Sequence, residues 1–144
     1  MAETHIYSTA LYWSQERKGV LSSGGLPDIE VATPPEFPKG HPGIWSPEHL
    51  FVAAAEVCLM TTFLAIAEKS RLDFSAYSSQ AEGTLEKTAA GYLVTSILIR
   101  PRVVISDQAQ SDRAMKIIEM AEKHCLISNS MKSEVSIAPE ILVE

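Results

Sequence analysis

Eighteen consecutive residues, 50–67, carry only three polar side chains, Glu56, Thr61 and Thr62, and so long an apolar run leaves a chain few ways to fold. By length alone it could span a bilayer. A carboxylate near its centre opposes that by about 2.5–3.5 kcal/mol on insertion scales, and no second apolar run exists to pair with it. The run therefore reads as a buried core helix. Ser46 suits an N-cap, Pro47 a first helical position and Glu48 the positively polarised first turn, so the helix is expected to start at Pro47 and run to about Lys69. It is apolar nearly all round, more than one small sheet covers, so part of its surface is expected to meet a second copy of the chain.

The sequence on either side reads as strands, with one further helix. Alternation at Ile6, Ser8, Ala10 and Tyr12, broken at Ser22-Ser23-Gly24-Gly25, predicts an N-terminal β-meander. Pro34, Pro35, Pro38, Gly40, Pro42 and Gly43 then impose a loop. Residues 74–106 predict a long hairpin with its turn at Ala89-Ala90-Gly91 and its second arm broken at Pro101. Helical spacing of Ala114, Ile117, Ile118 and Ala121 predicts a helix over 107–123, and residues 134–143 alternate as a last strand around Pro139. This blocky order favours an α+β fold over a doubly wound parallel sheet, and the 144 residues are expected to form one domain, 1–144.

Eighteen acidic against twelve basic residues, a net charge of −6, argue against a nucleic-acid partner. The N-terminus lacks both the basic and the apolar regions of a secretory signal, so a cytoplasmic location is expected, where a purely structural disulfide is disfavoured. His5, His41, His49 and His124 are scattered, and His124-Cys125 is not a zinc spacing, so no metal is expected; no phosphate loop or nucleophile elbow suggests a cofactor.

Chemistry then rests on two cysteines, Cys58 within the long helix and Cys125 just past the second. Cys58 lies about three turns into its helix, out of reach of that helix's own N-terminus, and apolar burial raises a thiol pKa. A reactive Cys58 thus needs a cation from elsewhere. Arg17, in Trp13-Ser14-Gln15-Glu16-Arg17-Lys18-Gly19, sits at a strand–turn corner, and its planar fork could hold thiolate and carboxylate together. Glu48 is the carboxylate to orient it, although ten residues of helix set Glu48 about 15 Å along and about 80° around from Cys58. Either Arg17 bridges part of that gap, or the Glu48 of a second subunit approaches. Cys125, at a helix C-terminus, suits a resolving thiol, able to condense with a Cys58 sulfenic acid. Glu56 is a candidate supporting acid. Each residue also has a plain role: buried core for the cysteines, dipole partner for Glu48, solvated charge for Arg17.

Two stretches, Ser46-Pro47-Glu48-x-Leu50-Phe51-x-Ala53-Ala54-x-x-x-Cys58 and Ala121-Glu122-Lys123-x-Cys125-x-x-Ser128, resemble the two signatures of the OsmC/Ohr family. The resemblance spans nearly the whole chain. It implies an OsmC-like fold, with antiparallel sheets around two long central helices in an intertwined homodimer. It also implies a metal-free, haem-free and flavin-free peroxidase acting on organic hydroperoxides. By that likeness Cys58 is the peroxidatic cysteine, Cys125 the resolving one, Glu48 the family's glutamate, and Arg17, through Arg17-Lys18-Gly19, its arginine. Phe51, Leu59, Met60 and Phe63 would line an apolar pocket, and the reductant would be a dithiol such as a lipoylated protein or dihydrolipoamide. Ser46 stands where asparagine is frequent, and Leu126 where proline is. A relative without peroxidase activity that binds a small hydrophobic ligand, and a thiol redox sensor, are the alternatives.

Overall fold

The structure, a computed structural model, describes residues 3–144; Met1 and Ala2, the start of the segment read for a targeting signal, lie outside them. The chain divides into two compact units, the first ending at Leu50 and the second comprising Phe51–Glu144.

The first unit is the expected meander. Strands β1 (Ala10–Gln15), β2 (Lys18–Ser22) and β3 (Ile29–Ala32) form an antiparallel sheet in that order. β1 begins at Ala10 rather than Ile6; upstream, the edge is held by a side chain, with Ser23 Oγ donating to Ser8 O at 2.8 Å. The tight β1–β2 turn puts Glu16 at φ 52°, and Trp13 Nε1 donates to its carbonyl at 2.9 Å. In the proline-rich loop Gly40 passes so close to Pro34 that a Cβ would lie 1.9 Å from the Pro34 carbonyl oxygen, so only glycine fits. The loop closes with Ala32 N–H donating to Trp45 O at 2.9 Å.

Helix α1 (Pro47–Lys69) carries the chain into the second unit and starts where the sequence predicts. Buried Ser46 is its cap: His49 N–H donates to Ser46 Oγ at 3.1 Å, and Ser46 N–H donates back to His49 Nδ1 at 3.3 Å. Imidazole here takes the place that a glutamate fills in a capping box. α1 is long and apolar enough to cross a membrane by length and composition, but here its Ala55, Leu59, Phe63 and Ala67 are core.

In the second unit β4 (Ala76–Thr88) and β5 (Gly91–Ile105) form the hairpin. Inward-facing Ile97, Ile99, Val103 and Ile105 meet α1 and helix α2 (Ser111–Lys123), which a short 3-10 turn, Gln108–Gln110, precedes. Each fully buried side chain of this size contributes about 1.5–3 kcal/mol. The final segment is two strands, β6 (Glu134–Ile137) and β7 (Glu140–Val143), each parallel to β5, so the sheet is mixed rather than wholly antiparallel.

Pro101 does not break β5 as the sequence suggested. Ile99 O accepts from Ala138 N on the β6 side, and residues two apart point the same way, so the missing Pro101 N–H also faces that side. There the partner changes, from β6 opposite Ile99 to β7 opposite Arg102. No ladder bond is lost at that junction.

Candidate thiol site

The second unit brings the two cysteines together. Both are buried free thiols, and their side chains hydrogen-bond to each other. α1 points Cys58 inward with Ala55 and Leu59, and Thr62, one turn on, sets its hydroxyl 3.9 Å from Cys58 Sγ. α2 stops at His124, and Cys125 then turns extended (φ −68°, ψ 108°) to cap a four-residue helix, α3 (Leu126–Asn129). Cys125 Sγ lies 4.0 Å from the Ala55 carbonyl oxygen and accepts from Ser128 Oγ at 3.3 Å.

The two thiols are driven apart in acidity. Burial pushes Cys58 up, but the Ile127 amide, the Cys125 thiol, the Thr62 hydroxyl and the Leu126 amide, all donating to its sulfur, bring it below the ordinary thiol value. Burial pushes Cys125 up; Ser128 opposes this, but giving its proton to Cys58 and facing that thiolate's charge leave Cys125 raised. The pair is thus one acidic sulfur beside one that keeps its proton.

The acidifying groups are not those sequence reasoning sought. A cation was expected, because Cys58 is remote from its own helix N-terminus; instead the first turn of α3 supplies two peptide N–H groups. Thr62 could have been found from its i+4 spacing to Cys58, and Ser128 from its i+3 spacing to Cys125. Glu56 is half-buried, and Ser79 Oγ donates to its carboxylate at 2.6 Å. Of the expected pocket residues, Leu59 and Phe63 are fully packed core, Met60 is half-buried and Phe51 exposed.

Arg17 and Glu48 belong to the first unit. Arg17, exposed at the β1–β2 turn, lines a cavity of about 720 Å³ with Leu11, Trp13, Val31, Pro47 and Leu50. Its carbonyl accepts from Thr33 N–H at 3.1 Å. Glu48 has one buried oxygen, Oε1, without a hydrogen-bond partner, and among the described residues no ion pair joins it to Arg17. Among the described residues no group of three or more His, Cys, Asp or Glu could hold a metal ion.

A family model described as OsmC-like protein matches residues 40–140, taking in Glu48, Cys58 and Cys125. The chain belongs to the OsmC/Ohr family. This OsmC-like chain is 30% identical over 149 residues to the uncharacterised protein YmaD of Bacillus subtilis, covering all of this chain and 97% of that protein. The solved structure of an OsmC-like protein of unknown function from Vibrio cholerae matches at a TM-score of 0.86 with 27% identity, over 94% of this chain and 99% of that one. An organic hydroperoxide resistance protein from Elizabethkingia anophelis (TM-score 0.77, 15% identity, all of both chains) shares the fold. So does the organic hydroperoxide resistance protein OhrB of Bacillus subtilis (TM-score 0.70, 16% identity, 95% of this chain and 98% of that one).

Proposed function

We propose that this OsmC-like chain is a cysteine-dependent peroxidase that reduces organic hydroperoxides with a dithiol. The observation that carries this reading is the split thiol pair, an acidified Cys58 hydrogen-bonded to a protonated Cys125. The names of two fold relatives, organic hydroperoxide resistance proteins, support it. The Cys58 thiolate attacks the distal peroxide oxygen; the O–O bond breaks, the alcohol leaves with a proton, and Cys58 becomes a sulfenic acid. Cys125 then attacks the Cys58 sulfur, releasing water and closing a disulfide that a dithiol such as dihydrolipoamide or a lipoylated protein reopens.

Arg17, oriented by Glu48, would stabilise the thiolate and the departing alkoxide as a fixed cation. A homodimer would supply that pair from a second subunit, and the apolar side chains α1 leaves exposed, Phe51, Val57 and Leu64, suit such an interface. In this reading 1–144 acts as one OsmC-like domain, in the cytoplasm.

Reduced protein mixed with cumene hydroperoxide, hydrogen peroxide and dihydrolipoamide tests the reading. Expected are faster loss of the organic peroxide, a Cys58–Cys125 disulfide in the oxidised protein, and no turnover in Cys58→Ser. Parental turnover in that variant would sink the mechanism. The largely apolar cavity beside Arg17, which among the described residues has no side-chain partner, favours one rival, a relative that binds a small hydrophobic ligand; two intact thiols after peroxide, with saturable binding of a fluorescent fatty acid, would select it. Slow stoichiometric oxidation without turnover would mark a sensor.

A further inference from the structure

The second thiol has a hydrogen-bond partner that the reaction above leaves unused. Ser128 Oγ donates to Cys125 Sγ at 3.3 Å. Backbone bonds fix both residues in that relation: Cys125 N–H donates to Glu122 O at 3.3 Å, Asn129 N–H to Cys125 O at 3.0 Å, and Met131 N–H to Ser128 O at 3.2 Å. Cys125 is wholly buried and Ser128 half-buried, so little water competes for the sulfur. The Ala55 carbonyl oxygen, 4.0 Å from the same sulfur, can only accept a hydrogen bond. The Ser128 hydroxyl brings one.

What this contact does changes as the reaction proceeds. In the reduced pair three influences raise Cys125, namely burial, the hydrogen bond it gives to Cys58 and the Cys58 charge, and Ser128 opposes them. Two of the three belong to the Cys58 thiolate. They vanish once that sulfur is covalently modified and uncharged, whether as a sulfenic acid or a mixed disulfide. Burial then stands alone against Ser128. Only the thiolate attacks, so a donor aimed at a buried sulfur enlarges the fraction able to do so.

We propose that Ser128 is a further catalytic residue, the hydrogen-bond donor that lets buried Cys125 attack once Cys58 has been oxidised. This rests on the two-cysteine chemistry proposed above. The hydroperoxide takes two electrons from the Cys58 thiolate, the alcohol leaves with a proton, and Cys58–SOH remains. Cys125 gives up its proton, its sulfur bonds to Cys58 Sγ, and the sulfenic hydroxyl departs with that proton as water. The charge that passes through Cys125 in this step falls where the Ser128 hydroxyl already points. Reopening uses the same contact. A dithiol reaches Cys58, 8% exposed against 0% for Cys125, and Cys125 leaves as the thiolate. The second thiol of the reductant then closes its own disulfide and expels the Cys58 thiolate.

Ser128→Ala removes the donor and Ser128→Thr keeps it. Reduced parent and both variants are each mixed with one equivalent of 2,2′-dithiodipyridine over a range of pH, and thiopyridone release is followed. Attack by Cys58 releases the first thiopyridone and leaves a Cys58 mixed disulfide; attack by Cys125 on that sulfur releases the second. Expected for Ser128→Ala is a first release at the parental rate and a second slowed roughly three- to tenfold at neutral pH, since greater nucleophilicity partly offsets the lost thiolate. The pH midpoint of the second release should move up, and Ser128→Thr should restore both rate and midpoint. A parental second release in Ser128→Ala would overturn the proposal. So would a slowed release with an unmoved midpoint, or equal slowing in both variants, the marks of a packing role. A parallel run with cumene hydroperoxide separates the two readings. If the peroxide leaves parental Cys58 unoxidised, the peroxidase reading fails, while the dithiodipyridine comparison still decides the role of Ser128.

Discussion

Ile127 donates its backbone N–H to the sulfur of Cys58, so the segment that delivers the second thiol also acidifies the first. One local event accomplishes both. α2 ends, Cys125 turns extended, and α3 begins with its first amides unpaired within the helix. The acidity of Cys58 is therefore tied to the position of Cys125 through the backbone.

Leu126→Pro tests that tie. Cys125 is already extended, as a residue before proline must be, and the first helical position tolerates proline. The fold is expected to persist while one of the two amide donors to Cys58 is lost. The midpoint of the pH profile for Cys58 alkylation by iodoacetamide, read by mass spectrometry, should move up, with the rate at neutral pH falling roughly three- to tenfold. An unmoved midpoint would show that this amide does not act on Cys58.

Stability should peak with pH. Cys58 in the folded chain lies below the ordinary value of 9.0, so from its folded value up to 9.0 the unfolded chain holds more protons and stability rises. That contribution is lost as pH falls through the folded value. Cys125 has the opposite sign: its raised folded value makes stability fall as pH climbs above 9.0, and Tyr77 adds to the fall above 10.0. The urea midpoint is expected to climb towards pH 9 and decline beyond it, with the climbing limb missing in Cys58→Ser. Parallel curves for parent and variant would contradict the shift at Cys58.

At Gly83 β4 passes close to α1: a Cβ there would lie 2.5 Å from Val52 Cγ2. Gly83→Ala should cost about 1–3 kcal/mol by overpacking, measured by urea unfolding. Val52→Ala in the same chain clears the space and should recover a large part of it, giving a favourable coupling in the double-mutant cycle. Simple additivity would mean that the two residues do not press on one another.

Much of the fold was legible because its signals are local. Ser46 and Pro47 announce the start of α1, Ala89-Ala90-Gly91 the hairpin, and the spacing of Ala114, Ile117, Ile118 and Ala121 the buried stripe of α2. Pro101 misled because its effect depends on which strand lies opposite its missing N–H, and two short parallel strands separated in sequence set that. The pairing of Cys58 with Cys125 was legible only as family likeness; spacing along the chain does not encode it.

The sequence by itself determined where helices and strands begin, that one apolar helix must be core, and that two thiols are the chain's reactive candidates, because capping, turn chemistry and hydrophobic period act over a few residues. Tertiary structure decided which thiol is acidic and which keeps its proton. That depends on the Leu126 and Ile127 amides meeting Cys58. Acidity is set by the few groups within hydrogen-bond reach of a sulfur, and residues far apart in sequence supply most of them only once the core has closed.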